Sequence, residues 1–242
     1  MFLAIPLMAI CLYGRPSLIP WYISYVVLFN MLVGPVFSAG SVTSERERQT
    51  LDLLLTTILS PGQILRGKLI SGLRVSSVLT SFLLWPLLLA CFMVPIYGIW
   101  SSDDRVNLLS VGMYVAIVGL CCVTTATVAL FCSVLFRKTA HSLMATYLLI
   151  IVLFCAPLAM RFFVETFFPQ AAATAWISRL SVTSPLAAIF AVPFYIGNPT
   201  DVADRVADWW QYGAYVGFTL VWICVLVALI GWLFRTRWRV AE

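Results

Sequence analysis

Five apolar runs, at about 18–40, 69–95, 107–135, 142–160 and 212–234, are each near or above the roughly 20 residues that a helix needs to cross hydrocarbon. Inside lipid the backbone must satisfy its own hydrogen bonds, which leaves helices and closed barrels, and runs of this length read as helices. Only 10% of residues are charged and 62% are hydrophobic, where a soluble domain carries about 25% charge. The chain therefore reads as an all-α polytopic membrane protein. Its spans take up so much of the 242 residues that a single transmembrane domain is expected, with no separate soluble catalytic domain. Residues 2–13 are apolar but too short for a span, and they lack the basic start and small-residue cleavage site of a signal peptide.

Basic residues beside the spans set the expected orientation. One side collects Arg46, Arg48, Arg66, Lys68, Arg74, Arg137, Lys138, Arg235, Arg237 and Arg239, ten of the fifteen Lys and Arg, against four acids. The other side has five basic residues against six acids. The first side is expected in the cytoplasm, together with the C-terminus. The overall charge of +5 is then a topology signal with some attraction to anionic lipid, and it does not suggest nucleic-acid binding.

The densest charge lies between the first two runs. Ser44 and Glu47 have capping-box spacing, and Leu51, Leu54, Leu55 and Ile58 recur at helical intervals. A short amphipathic helix over about 44–58 is expected to lie on the membrane surface with Glu45, Arg48 and Asp52 on its other faces. Ser60-Pro61-Gly62-Gln63 then starts a second helix, through an N-cap, a proline at the first helical position and a capping Gln. Arg66, Lys68 and Arg74 lie on that entry and are expected to snorkel to headgroups.

Other features exclude more than they suggest. The seven cysteines sit in apolar runs without C-x-x-C spacing, so no disulfide or metal site is inferred. Gly62 to Lys68 fits G-x-x-x-x-G-K, but Leu69 stands where a phosphate loop needs Ser or Thr, and no strand precedes it. His141 sits beside Arg137 and Lys138 and reads as a headgroup-level residue. No Ser/His/Asp set or H-E-x-x-H appears. Polar residues inside spans are costly and mark either helix packing or a pathway, which singles out Asn30, Thr124, Thr125 and Thr127, with Ser133 nearby. Gly112 and Gly119 suggest close helix approach, and Pro35, Pro86 and Pro157 suggest kinks.

The run Ser44-Glu45-Arg46-Glu47-Arg48-Gln49-Thr50-Leu51-Asp52-Leu53-Leu54-Leu55-Thr56-Thr57-Ile58-Leu59-Ser60-Pro61, followed by Gly67-Lys68, resembles the signature of ABC-2 type transporter permeases. Gln49 and Ile58 depart from the Gly and Pro usual there. The resemblance implies an ABC-2 type permease bundle of five full transmembrane helices plus the outer part of a first one. It also implies a cytoplasmic coupling helix, and an external re-entrant or interfacial hairpin over about 161–211. Aromatic belts at Trp209, Trp210, Tyr212, Trp232 and Trp238 fit the last span.

By the same resemblance the chain is a plasma-membrane (inner-membrane) exporter subunit, driven by a separate ABC ATPase that holds the ATP and Mg. It would pair with a second permease half, bind no nucleic acid and carry no cofactor itself. Carried over by position, Glu45, Arg46, Glu47, Arg48 and Asp52 are candidate ATPase contacts, and Leu51, Leu54 and Leu55 anchor the coupling helix. The residues also admit a non-transporting membrane anchor that binds a cytoplasmic partner, and, with less support, an intramembrane hydrolase.

Overall fold

In the computed structural model of the chain, the described residues are 19–40, 42–48, 61–93, 102–168, 181–192 and 209–238. The helices are α1 (Ile19–Ala39), the single-turn α2 (Thr43–Glu47), α3 (Pro61–Met93), α4 (Ser102–Leu135) and α5 (Thr139–Ile150). A π-helical turn (Ile151–Cys155) joins α5 to α6 (Ala156–Phe167), and a 3₁₀ turn (Ser181–Thr183) leads into α7 (Pro185–Ala191) before α8 (Trp209–Trp238). Among the described residues five helices are long and apolar enough to cross a membrane, and they coincide with the five expected spans. Residues 2–13 lie outside the described residues.

The central helix is α4. It packs against α1, α3, α5, α7 and α8, and 67% of its span is buried, against 17% for the α5–α6 and α8 spans. Tyr114, Ile117, Val118 and Cys121 of α4 interlock with Ile23, Val26 and Val27 of α1 and Tyr215 of α8. The outward faces are apolar too: Phe82, Trp85, Met144, Leu148, Val221 and Trp232 are all exposed. In water so much exposed apolar surface would drive aggregation, whereas in lipid it is the solvent-matched face. The molecule is an all-α multi-pass membrane bundle.

The last residues of the α5–α6 span overshoot the expected end at 160. Arg161 Nε donates to Glu165 Oε1 at 2.7 Å, one helical turn on, so the helix continues with its polar groups paired. The break inside that span is compensated as well. Pro157 has no N–H to give the carbonyl of Leu153, and Thr183 Oγ1 donates to that carbonyl at 3.1 Å. Thr183→Val should therefore lower stability by about 1 kcal/mol while Thr183→Ser stays near wild type, read as melting temperature in detergent. Tyr22 donates to Leu83 O at 2.6 Å and Tyr147 to Leu32 O at 2.5 Å, each carbonyl three residues before a proline, Pro86 and Pro35, and so next to the one that the proline frees.

The segment expected as an external hairpin is described at 161–168, 181–192 and 209–211. Ala187, Ala188 and Ile189 of α7 are buried against α1, α4 and α8, and Tyr114 donates to Val192 O at 3.4 Å. Phe190 meets Trp21 edge-on, with ring centroids 5.2 Å apart. This piece enters the bundle at the start of α1. Close helix approach is also found elsewhere than expected: a Cβ on Gly112 or Gly119 would meet nothing within 4 Å, because both face outward. The tight joints are Gly34 and Gly72. A Cβ at Gly72 would lie 2.5 Å from Ser38 Oγ and 3.5 Å from its Cα.

Candidate functional site

One end of the bundle gathers the finish of α1, all of α2, the start of α3, the finish of α4 and the start of α5. Val42, Leu130, Val134 and Ile230 form a small buried core there, covered by Leu69 and Leu233. Above this core the chain turns sharply from α1 into α2. The first N–H groups of a helix have no partner within it. Here Ser133 Oγ of α4 accepts from both Val42 N at 3.0 Å and Thr43 N at 3.1 Å. The last carbonyl of α1, on Ala39, accepts from Thr43 Oγ1 and from Ser142 Oγ of α5, each at 3.1 Å. Both ends of the turn are thus satisfied by neighbouring helices.

The expected Ser44–Glu47 capping box is not formed. Glu47 Oε1 instead accepts from Thr139 N at 2.8 Å, and both carboxylate oxygens lie within 3.1 Å of Thr139 Oγ1. That places a negative charge on the positive end of the α5 dipole, where Lys138, at the N-cap, offers no side-chain cap of its own. The wide sequence separation explains the correction: a capping box is local, and the competing donor lies 92 residues away.

Glu45 likewise does not pair with Arg48 along its own helix. Its Oε1 lies 2.5 Å from Lys68 Nζ of α3, with side-chain exposures of 28% and 16%. Lys68 therefore turns inward to a carboxylate rather than snorkelling, since a half-buried ammonium favours an ionised partner close by over distant headgroups. Arg66 and Arg74 are exposed, as are Arg48, Arg137, Lys138 and His141. The described part of the coupling helix ends at Glu47. Leu51, Asp52, Leu54 and Leu55, and the side chain of Arg46, lie outside the described residues.

A second polar cluster lies midway along the bundle. Asn30 Nδ2 is 3.2 Å from Ser76 Oγ, 2.8 Å from Thr80 Oγ1 and 2.8 Å from Cys122 Sγ. Three acceptors exceed its two hydrogens, so one hydrogen is shared. Thr125 Oγ1 lies 3.3 Å from Asn30 Oδ1 and donates to Cys121 O at 2.9 Å. Thr124 and Thr127 are buried and bond to carbonyls of their own helix, Leu120 O and Thr124 O. Of the four polar residues singled out as packing or pathway groups, Asn30 and Thr125 thus bond across helices, while Thr124 and Thr127 bond within α4. Ser76, Thr80 and Cys122 belong with them, and a signal existed: Ser76 and Thr80 are four apart on one face of α3.

Among the described residues no carboxylate or histidine joins this cluster, and no group of three or more His, Cys, Asp or Glu could hold a metal. Cys121, Cys122, Cys132, Cys155 and Cys224 are free thiols. What the arrangement can do is mechanical. A multi-pass bundle with a lipid-facing exterior, tied at one charged end across four helices, has the architecture of a membrane domain. The family model described as "ABC-2 family transporter protein" matches residues 2–237, and the chain belongs to that family, as a membrane permease component of ABC transporters. No match is found among curated proteins.

Proposed function

We propose that the chain is the permease subunit of an ATP-driven exporter. The end carrying α2 faces the cytoplasm of a plasma membrane and meets a separate ABC ATPase, and a second permease half completes the pathway. ATP and Mg belong to the ATPase. The observation that carries this reading, beside family membership, is the mounting of residues 40–48. Through Ser133, Lys68 and Thr139 they touch α4, α3 and α5 at once, and Ser142 of α5 holds the Ala39 carbonyl just before them. A load applied at this turn is delivered to three spans together, which is what coupling ATP-driven closure to a change of access requires.

The test is purification of the tagged chain from its own host in mild detergent, with mass spectrometry of what accompanies it. A Walker-motif ATPase at near-equal amount is the expected result. A clean permease with no ATPase, in conditions where the chain stays monodisperse, would leave a non-transporting anchor as the better reading.

A further inference from the structure

One ridge of α3 carries its buried residues. Among the described side chains of that helix the buried ones are Gly72, Ser76, Thr80 and Leu84, each one helical turn after the last, while Ile70, Val75, Val78, Phe82 and Trp85 are exposed. A ridge at four-residue spacing packs against the same spacing on a neighbour, and α1 supplies it as Val26, Asn30, Gly34 and Ser38, all buried. The rungs meet in reverse order, as they must between antiparallel helices. A Cβ on Gly72 would lie 2.5 Å from Ser38 Oγ, one on Gly34 would lie 3.4 Å from Ser76 Oγ, and Asn30 Nδ2 lies 2.8 Å from Thr80 Oγ1. Val26 then stands level with Leu84.

Three observations distinguish this joint from a fixed one. Asn30 Nδ2 also lies 3.2 Å from Ser76 Oγ, the next rung of α3, so the amide already holds a contact of the register one turn away. In that register α3 is advanced by about 5.4 Å toward the Ile19 end of α1. Ser76 then faces Asn30, Gly72 faces Gly34, Thr80 faces the similarly shaped Val26, and Tyr22 passes from Leu83 O to Leu79 O. A shift the other way would set Leu84 against the Asn30 amide and strip its partners. Second, Ser38 Oγ is buried with no hydrogen-bond partner among the described residues, and the advance brings Lys68, one turn before Gly72, level with it. Third, 22% of the α3 span is buried, against 59% for the span containing α1 and 67% for that of α4. Its outer face meets lipid at either height, so sliding changes little apolar burial. Lys68 opposes the advance, because Glu45 of α2 holds it in place.

We infer that α1 and α3 form a two-register shear joint: α3 slides one turn along α1, Asn30 passes from Thr80 to Ser76, and the Glu45–Lys68 ion pair locks the observed register. Thr125 lies 3.3 Å from Asn30 Oδ1, and α1 interlocks with α4 through Ile23, Val26 and Val27, so those two helices stay together and α3 is the moving part. Packed helices shift between discrete arrangements in this way because an intermediate height leaves the rungs unmatched. The joint is a property of this chain by itself, with or without an ATPase.

The experiment is disulfide trapping in host membranes, in the whole chain with its seven cysteines replaced, Cys122 by Ser so that Asn30 keeps an acceptor there. Val26→Cys/Leu84→Cys reports the observed register, Val26→Cys/Thr80→Cys the advanced one, and Val26→Cys/Ser76→Cys is a control one turn further off. A disulfide needs Cα atoms within about 7 Å, which a one-turn offset between packed helices exceeds. The Leu84 pair is expected to close fastest, and the Thr80 pair about tenfold faster than the control. Glu45→Gln or Lys68→Met should each speed the Thr80 pair about three- to fivefold, the factor carried by one half-exposed ion pair. Asn30→Leu, which can bond neither rung, should slow it. A second measurement leaves every rung intact: spin labels at the exposed positions Trp21 and Trp85 should give a second distance population that grows with Glu45→Gln.

Three results would overturn the inference. A Thr80 pair that closes no faster than the control, with one unchanged spin-label distance in Glu45→Gln, means that α3 is fixed. Equal closure of all three pairs means that α3 is loosely held and has no second register. A Thr80 pair that closes at the same rate with Glu45→Gln and Lys68→Met removes the ion pair as the lock. None of these bears on the permease reading, which ATPase recovery tests separately.

Discussion

An Asn30→Asp variant is expected to lose about 2.5–3.5 kcal/mol of folding stability, the cost of placing an ionised group at the middle of a membrane span. Asn30 is only 2% exposed, and its neighbours are poorly suited to a carboxylate. The Thr80 and Thr125 hydroxyls already donate to Ser76 O and Cys121 O, so turning to an anion at position 30 breaks bonds within their own helices. Asn30→Leu should cost far less, about 1 kcal/mol. It removes interhelical bonds typically worth about 0.6 kcal/mol each while leaving those hydroxyls satisfied. Thermal unfolding in detergent, followed by size exclusion, separates the two variants. If Asn30→Asp melts with the wild type, the cluster is hydrated, and the pathway role for Asn30, Thr124, Thr125 and Thr127 gains over packing.

Gly72→Leu is expected to be the most damaging single change in the α1–α3 joint, at about 1–3 kcal/mol, the usual cost of forcing extra atoms into a packed interface. The direction follows from what a Cβ there would meet. Ser38 Oγ, at 2.5 Å, can rotate aside, but Ser38 Cβ at 3.3 Å and Cα at 3.5 Å move only if α1 moves. Gly72→Ala should therefore be intermediate, and Ser38→Ala should recover much of its loss. Ser38 Oγ is buried and has no hydrogen-bond partner among the described residues, so its removal is expected to be nearly neutral by itself. Melting temperatures of the two single variants and the double test this; a Gly72→Leu chain as stable as wild type would mean that α1 and α3 separate freely. The joint adjoins the charged corner, since Ser38 precedes the Ala39 carbonyl that Ser142 holds.

Much of the architecture was readable from residue type and spacing. The start of α3 at Pro61 follows from a proline that loses nothing at the first helical position. The end of α1 at Ala39 follows from Gly40 and the polar run after it. The described part of the family signature lies at the corner where α1 to α5 meet, and the hydroxyl-rich stretch of α4 lies on the central helix. The placement of the partners was not readable. Glu45 with Lys68, Glu47 with Thr139, and Ser133 with the start of α2 are contacts between segments distant in sequence, and the first two replaced a local partner, Arg48 and Ser44.

The glycines show why. Gly112, Gly119, Gly34 and Gly72 look alike in an apolar run, yet only the last two stand where another helix crosses closely. In a soluble bundle the polar face of each helix would have revealed which side is buried. Here lipid is as apolar as the core, so a helix facing lipid and one facing protein carry similar residues. The sequence by itself determined the number of spans, the clustering of basic residues toward one side, and the family, because lengths, charges and motifs are local quantities. Only the tertiary structure decided which helix lies at the centre, which face of each is buried, and which cation or N–H each carboxylate answers. Those are set by how apolar surfaces interlock, and hydropathy does not record that.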